Sequence, residues 1–372
     1  MFKFLNLQPE LFALDINDSS VKVVKLEKRK KNFFLASYNE LRIAPNIVRG
    51  GVILQQEVLV KIIRGALEGV KGKKIATKHV VLSLPEEKSF SQIIQMPRMT
   101  EQELKKAVPF EAENYIPLPI DSVYLDFQVI NAHQEVTDSA HLDILVNAMP
   151  KYIVDSYVAC AKAAGLVPCV LEIESQSIAR ALVENGQAQK PVALIDVGKD
   201  NTSFIIFSGS APRFTTSVPF SSKQLTVAIE GALHVTSQKA EELKVKNGLV
   251  SKKGKENKEA ILAMTPLLED FALKIKKYIG FYHGHSSHDY FPSDDDIEKI
   301  ILCGGGANLK GLAEFLSTAL HIPVGLGDPF INIIPCNKGE RCPIIYQKAL
   351  SYTTAFGLAL RAAANQEDQL ND

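Results

Sequence analysis

The chain has no excess of either charge sign: among its 372 residues Lys plus Arg number 42 and Asp plus Glu number 42, with an isoelectric point near 7.1. So even a balance sets up no long-range field toward nucleic acid or an anionic membrane, and neither is expected as a direct partner. Cysteine is sparse. Cys160, Cys169, Cys303, Cys336 and Cys342 form no CxxC pair and no even set, which argues against a disulfide framework and for a reducing compartment. Cys336 and Cys342 are the pair nearest in sequence to a possible bridge. The opening stretch MFKFLNLQPELFALDIN is broken by Pro9, Glu10 and Asp15 too early for a signal peptide or a spanning helix, so a cytoplasmic location is expected. Neither GxGxxG nor GxxxxGK[ST] occurs, which leaves a Rossmann or P-loop site without support.

What is present is enough apolar residue, 46%, to fill two lobes, and a length that exceeds what one core usually organises. Leu11 to Ile16, the polar turn Asn17-Asp18-Ser19-Ser20, and Val21 to Leu26 read as a hairpin, and Phe33 to Ile43 supplies a third strand. A helix near Gln56 to Gly69 and a buried strand over Val80 to Leu84 follow. After Gly165 the device returns. VPCVLEIE leads into a helix from Ser175 to Glu184, then VALIDVGKDNTSFIIFSG repeats strand, polar turn and strand, which suggests an internal duplication of a βββα unit.

Residues 88–165 depart from that pattern with strand, helix, strand, strand, helix, an α+β insertion whose first helix opens on a capping box, Thr100 with Glu103. Met96, Met99 and Phe110 read as its core. The second half continues with helices over Ser222 to Gly231 and Ser237 to Lys246, a lysine-rich linker around Ser251 to Lys258, and a long helix from Ala260 to about His283. The strand Ile297 to Leu302 then runs into Gly304-Gly305-Gly306, ahead of helices at Leu309 to Leu320 and Ser351 to Ala364.

Two carboxylates, Asp15 and Asp196, each end a strand ahead of a small polar turn. Such turns present backbone N–H groups to phosphates, and the carboxylates suit Mg²⁺ held through water. Either turn alone is an ordinary hairpin with Asp in a turn; their matching places in two similar units favour a paired nucleotide site. The triglycine lets backbone approach a ligand where a Cβ would clash, and a helix start there favours an anion. His283, His285 and His288, near Asp289 and Asp294 to Asp296, read as a solvated loop, with a metal site as the other reading. Lys28 to Lys31 and Lys71, Lys73 and Lys74 read as solvated turns rather than as a lipid-binding face.

In order along the chain, DINDSSVK (15 to 22), LEIESQSIARAL (171 to 182), DVGKDNT (196 to 202), AEELK (240 to 244), LCGGGANLKGL (302 to 312) and TAFGLALR (354 to 361) resemble the phosphate, connecting and adenosine motifs of actin-like ATPases. Within that superfamily, PFEAENYIPLPIDSVYLDFQVI and DPFINI resemble the type IV pilus assembly PilM family, with the cell-division protein FtsA as a more distant likeness. The resemblance implies an α/β, actin-like (ribonuclease H-like) fold: duplicated βββα lobes around a nucleotide cleft, with an inserted α+β subdomain of 1C (SHS2) type. The first lobe is expected over 1–87, 166–190 and 345–372, the insertion over 88–165, and the second lobe over 191–344, with a 2B-type part at about 221–296.

It further implies ATP with Mg²⁺ as cofactor. Asp15, Asn17, Asp18, Ser19 and Ser20 would form the first phosphate turn, with Lys22 reaching toward the phosphates; Asp196, Gly198, Asp200, Asn201 and Thr202 would form the second. Glu241 and Lys244 would flank ribose and base, Gly304, Gly305, Gly306 and Asn308 would receive the adenosine, and Asp15 and Asp196 would hold Mg²⁺ through water. Asn17 stands where the family's first turn has Gly; it is the non-glycine residue that best tolerates left-handed backbone, but it carries a side chain into the turn. The general bases on offer are Glu174 and the two aspartates, with no arginine finger, so weak ATPase activity at most is expected.

The function implied is a nucleotide-gated cytoplasmic adaptor at the inner face of the membrane, serving a type IV pilus or a related secretion or competence machine. It would bind the N-terminal cytoplasmic peptide of a PilN-like bitopic protein near Phe90 to Met96 and Val108 to Ile116, by main-chain pairing and side-chain pockets. A homo-oligomer or ring is compatible with this, and membrane contact would come through partners. The alternatives are an FtsA-like cell-division protein, against which the polar ending ANQEDQLND speaks, and a slow ATPase or sugar-kinase-type enzyme of the same fold.

Overall fold

Two runs of strands with the same pairing order organise the chain. The computed structural model describes residues 9–130, 141–250, 254–285, 296–335 and 344–364. It divides into one unit of Met1–Ala181, Asn332–Cys342 and Thr354–Asp372, and another of Leu182–Ile331 and Pro343–Thr353.

In the first unit, β1 (Phe12–Ile16), β2 (Ser20–Arg29) and β3 (Asn32–Arg42) form an antiparallel meander. Val21, Val23 and Val24 of β2 are buried alongside Phe12, Leu14 and Ile16 of β1, so the β-branched residues meet the pleated, packed surface they favour. The ribbon β4 (Val48–Arg49) and β5 (Val52–Ile53), helix α1 (Gln56–Glu68) and β6 (Lys71–Gly72) follow. Strand β7 (His79–Leu84) adds parallel to β1.

The insertion comes next, with β8 (Phe90–Pro97), α2 (Glu101–Ala112), β9 (Val123–Val129) and β10 (His141–Pro150) in a sheet of order β8-β10-β9. It has its own core of Ile94, Met96, Leu104, Val108, Ile144 and Val146. The capping box is formed: the Thr100 hydroxyl accepts from the Glu103 N–H and the Glu103 carboxylate accepts from the Thr100 N–H, satisfying two otherwise orphaned donors. Phe110 departs from the expected core role, because it lies on the outer face of α2 and is 75% exposed. Helix α3 (Lys151–Ala163), placed with the insertion by sequence pattern, instead sends Ile153, Val154, Tyr157 and Cys160 into the core under the meander. Strand β11 (Val167–Ile173) closes the sheet parallel to β7, giving the order β11-β7-β1-β2-β3-β6, and α4 (Glu174–Leu182) follows.

The second unit repeats the scheme with β12 (Ala188–Val197), β13 (Thr202–Gly209) and β14 (Ala211–Val218). Helices α5 (Ser222–Leu233), α6 (Ser237–Asn247) and α7 (Lys255–His285) lead to β15 (Lys299–Cys303), α8 (Leu312–Leu320), β16 (Val324–Leu326) and α9 (Tyr346–Ala349). The sheet order is β14-β13-β12-β15-β16, so in both units a meander takes two parallel strands on the outer side of its first strand. The last helix, α10 (Thr353–Ala364), lies almost wholly in the first unit. Phe220 stacks on Phe271 of α7, ring centroids 4.0 Å apart, inside a core that also holds Phe204, Ile206, Leu225 and Leu302. Each such fully buried side chain contributes about 1.5–3 kcal/mol.

Two boundaries differ from expectation in ways that bear on function. Lys255 to Lys258, expected in a linker, belong to the first turn of α7. The triglycine opens a 3₁₀ turn over Gly305–Asn308, and α8 begins at Leu312 after Gly311 with φ +84°. An α-helix N-terminus therefore does not follow the triglycine directly, which removes the helix-dipole reason for an anion there. Cys336, Cys342, His288, Asp289, Asp294, Asp295 and the side chain of His285 lie outside the described residues. Among the described residues no group of His, Cys, Asp or Glu is arranged to hold a metal directly, and no helix is long and apolar enough to cross a membrane.

Candidate functional site

The first turn hangs between the paired ends Ile16 and Val21. Asp15 sits opposite Lys22 in the ladder, and the Lys22 ammonium donates to its Oδ2 at 3.2 Å; both side chains are buried. The other oxygen, Oδ1, accepts from Ser83 Oγ at 3.1 Å, while Ser83 Oγ accepts from the Ile16 N–H. A buried carboxylate is costly without such partners, and here a cation and a hydroxyl supply them. Ser83 was not singled out from sequence; its signal is a lone hydroxyl within the apolar run HVVLSL.

Asn17 closes the turn. Its Oδ1 accepts from the N–H groups of Ser19 (3.0 Å) and Ser20 (2.9 Å) and from both serine hydroxyls. Asn17 is not in left-handed backbone, so the tolerance expected of it is not called on. Asp18 turns away to accept from the N–H groups of Gly50 and Gly51, tying down the β4–β5 ribbon. From the other side the Tyr157 hydroxyl donates to the Gly51 carbonyl. Burial foremost, then the charges of Glu174, Asp18 and Asp15, push the Tyr157 phenol well up, so it remains a donor. Glu174 accepts from the Glu86 N–H, and Glu86 in return accepts from the Ser175 N–H at the start of α4.

The second turn has the same closure: the Gly198 N–H donates to the Asn201 carbonyl, as Asn17 N–H donates to that of Ser20. A Cβ on Gly198 would come within 2.5 Å of the Asn201 carbonyl oxygen. Thr202 is buried, and its Oγ1 has no hydrogen-bond partner among the described residues. Asp200 is exposed and pairs with Lys223. Asp196 pairs in the ladder with Cys303, so the triglycine follows directly beside it. At Gly304, with φ +82°, a Cβ would meet Asp196 Oδ1 at 1.9 Å, and at Gly306 it would meet Val197 and Ser222. Burial, with Asp196 nearby, pushes the Cys303 thiol well up, so it stays protonated and unreactive. Asn308 spends its amide donor on the carbonyls of Gly305 and Gln347.

Glu241 and Lys244 form an ion pair at 2.7 Å on α6. Burial alone would raise the Glu241 carboxyl, but hydrogen bonds from Lys244 and Thr226 outweigh it and the net shift is down. Thus the second unit assembles Asp196, Gly198, Thr202, Gly304, Gly306, Glu241 and Lys244 on one end of its sheet, and the first gathers Asp15, Asn17 to Ser20 and Lys22 at the matching strand ends. For ATP the second unit's residues fit: the Thr202 hydroxyl has no hydrogen-bond partner among the described residues, the turn at Gly304 and Gly306 is packed so closely that a Cβ would clash, and Asp196, beside it, carries a carboxylate suited to water-held Mg²⁺.

A cavity of about 490 Å³ lies within the first unit. Its lining includes Tyr124, Met149, Val154, Val158, Leu171 and Gln176. Consecutive residues of β9 (124 to 126) and of β11 (171 to 173) open onto it, and each of these is the edge strand of its own sheet. Within the expected groove region, Phe90 to Met96 and Val108 to Ile116, the side chains of Ile94, Met96, Val108 and Ile116 are buried in the insertion's own core, whereas Phe110 and Tyr115 are exposed.

A model of the family "Type IV pilus assembly protein PilM" matches residues 13–363. The structure superposes with TM-score 0.79 on a chain of a PilM-PilN type IV pilus biogenesis complex, at 25% identity, covering 95% of this chain and 98% of that one. Against MreB5 of Spiroplasma citri bound to AMPPNP the TM-score is 0.55 at 13% identity, over 98% of this chain and 99% of that one. The fold is therefore that of the actin-like ATPases. Cell division protein FtsA of Pseudomonas aeruginosa is 24% identical over 57% of this chain, a match spanning about half, 52%, of that relative.

Proposed function

This chain belongs to the type IV pilus assembly protein PilM family, and we propose that it is a nucleotide-binding adaptor of a pilus-type inner-membrane assembly platform. Its ligand is the N-terminal cytoplasmic peptide of a PilN-like bitopic protein. The observation that carries the proposal is the apolar cavity bordered by the edges of β9 and β11. An unpaired strand edge gives an extended peptide main-chain partners, and Met149, Val154, Val158 and Leu171 offer apolar seats for alternate side chains. The likeness to a chain from a PilM-PilN complex supports this choice of partner. The protein works at the inner face of the cytoplasmic membrane, held there by that partner.

ATP with Mg²⁺ is the second ligand. Bound ATP supplies a polyanion that favours one conformation of the protein over another. In the first unit the turn amides, Ser19, Ser20 and Lys22 are the phosphate-binding groups and Asp15 a carboxylate for water-held metal; in the second the turn amides, Asn201 and Thr202 bind phosphate, Asp196 offers the carboxylate, and Glu241 with the turn from Gly304 to Asn308 takes the nucleoside end. Asn17 occupies the Ser19 and Ser20 amides in the free protein, so phosphate entry requires its side chain to leave them. Turnover is slow at most.

The peptide reading is tested with a fluorescent N-terminal peptide of a PilN-like protein and a Leu171→Arg variant. Leu171 is 36% exposed, so the change lines the cavity without burying a charge. Expected is saturable binding to the parent that weakens at least about tenfold, roughly 1.4 kcal/mol, in the variant. Equal binding to both proteins, or none to the parent, would sink the reading.

A further inference from the structure

Family resemblance places Lys244 beside ribose and base, but its surroundings assign it elsewhere. The side chain is 6% exposed, and its ammonium lies 2.9 Å from the Ser222 carbonyl, 2.8 Å from Ser222 Oγ, 2.8 Å from Thr226 Oγ1 and 2.7 Å from Glu241 Oε2. An ammonium has three donors. Four acceptors already surround them, and Thr226 spends its own proton on Glu241, so no donor is left for a ribose hydroxyl.

Ser222 is where this network leads. It is the first residue of α5, and its N–H donates to the Gly198 carbonyl while the Lys223 N–H donates to that of Lys199. A Cβ on Gly306 would stand 3.1 Å from Ser222 Cβ, so the glycine turn packs against the same residue. The N-terminus of α5 is thus seated on the second phosphate turn and against the triglycine, and Lys244 pins it from α6.

We propose that Lys244 is a positioning residue and not a nucleotide ligand: through Ser222 it holds the turn at Gly198 to Thr202 and the turn at Gly304 to Asn308 in the arrangement that receives the nucleotide. The proposal rests on the nucleotide reading for its purpose, but the brace itself is a property of the free protein. A buried ammonium that loses its stem leaves Ser222 and Thr226 without their donor, so truncation loosens α5 rather than opening a ligand contact.

The test has two arms. In nucleotide-free protein, amide hydrogen exchange of Lys244→Met should quicken about tenfold in peptides covering 198–202, 222–226 and 304–308, and stay unchanged across β1 to β3. Ser222→Ala, which removes one acceptor and leaves the rest of the fold alone, should quicken the same peptides about threefold. Unchanged exchange at those turns, or a uniform rise through both units, overturns the brace whatever the nucleotide does. In the second arm ATP and 2′-deoxy-ATP are titrated. A brace makes Lys244→Met weaken both by the same factor, whereas weakening of ATP alone would make Lys244 a ribose ligand and overturn the proposal. Should the parent bind neither nucleotide, the nucleotide reading falls, and the exchange arm alone decides the brace.

Discussion

The two turns at the heads of the duplicated meanders share a closure but not its content. Each is spanned by one N–H to carbonyl bond, Asn17 to Ser20 in the first unit and Gly198 to Asn201 in the second. Where the second has glycine, the first has a side chain that fills the turn and accepts from four donors. Opposite its aspartate the first has Lys22, the second Ser203. The first turn is therefore satisfied within itself, whereas the second leaves the Thr202 hydroxyl orphaned. A turn that has its own acceptor is stable without ligand; one with an orphaned buried donor gains from a ligand oxygen. Duplication kept the backbone, and divergence at single positions separated a self-satisfied turn from a receptive one.

The largest test of that contrast is Gly304→Ala. Its Cβ would press into Asp196 at a backbone φ of +82°, and a loss of about 3 kcal/mol is expected in urea unfolding of the second unit. A near-neutral result would mean the glycine turn is not as tightly seated as the contrast requires. Asn17→Gly makes the first turn resemble the second. Freed Ser19 and Ser20 amides should tighten binding of a fluorescent ATP analogue about tenfold, roughly 1.4 kcal/mol, and unchanged affinity would break the comparison. Thr202→Val removes the orphan, so the free protein should hold its stability or gain about 1 kcal/mol while ATP affinity falls; a clear loss of stability in the free protein would show that the hydroxyl already has a use.

The smallest effect is set by pH. Glu241 has its folded-state value lowered from an ordinary 4.5, so its contribution is fully present above that pH and fades as pH falls through the lowered value. Melting temperatures of parent and Glu241→Gln should thus converge on acidification below that range, and a difference that persists there points to packing rather than charge.

Much of the scaffold was legible because it is local. The Val and Lys pattern of VKVVKL marks a strand, though the structure buries Lys22 along with the valines, and Thr100 with Glu103 marks a helix start, since both depend on side chains a few positions apart. Asp15, Asp196 and the triglycine were visible as polar or flexible punctuation at strand ends. Ile94, Met96, Val108 and Ile116 are apolar in sequence whether they line a groove or fill a core, so only the structure shows that they fill the insertion's core. Helix α3 was assigned to the insertion because contiguity in sequence hid its packing under the meander.

By itself, then, the sequence determined the repeated strand-turn-strand units, their glycine and aspartate positions, and the departure at Asn17, because period, turn chemistry and caps act within a few residues. Tertiary structure alone decided that Ser83 and Lys22 share Asp15, that Lys244 spends its donors on Ser222, Thr226 and Glu241, and that two strand edges border one cavity. Those outcomes depend on which buried donors and acceptors meet across distant parts of the chain, where the low-dielectric interior makes an unpartnered polar group costly.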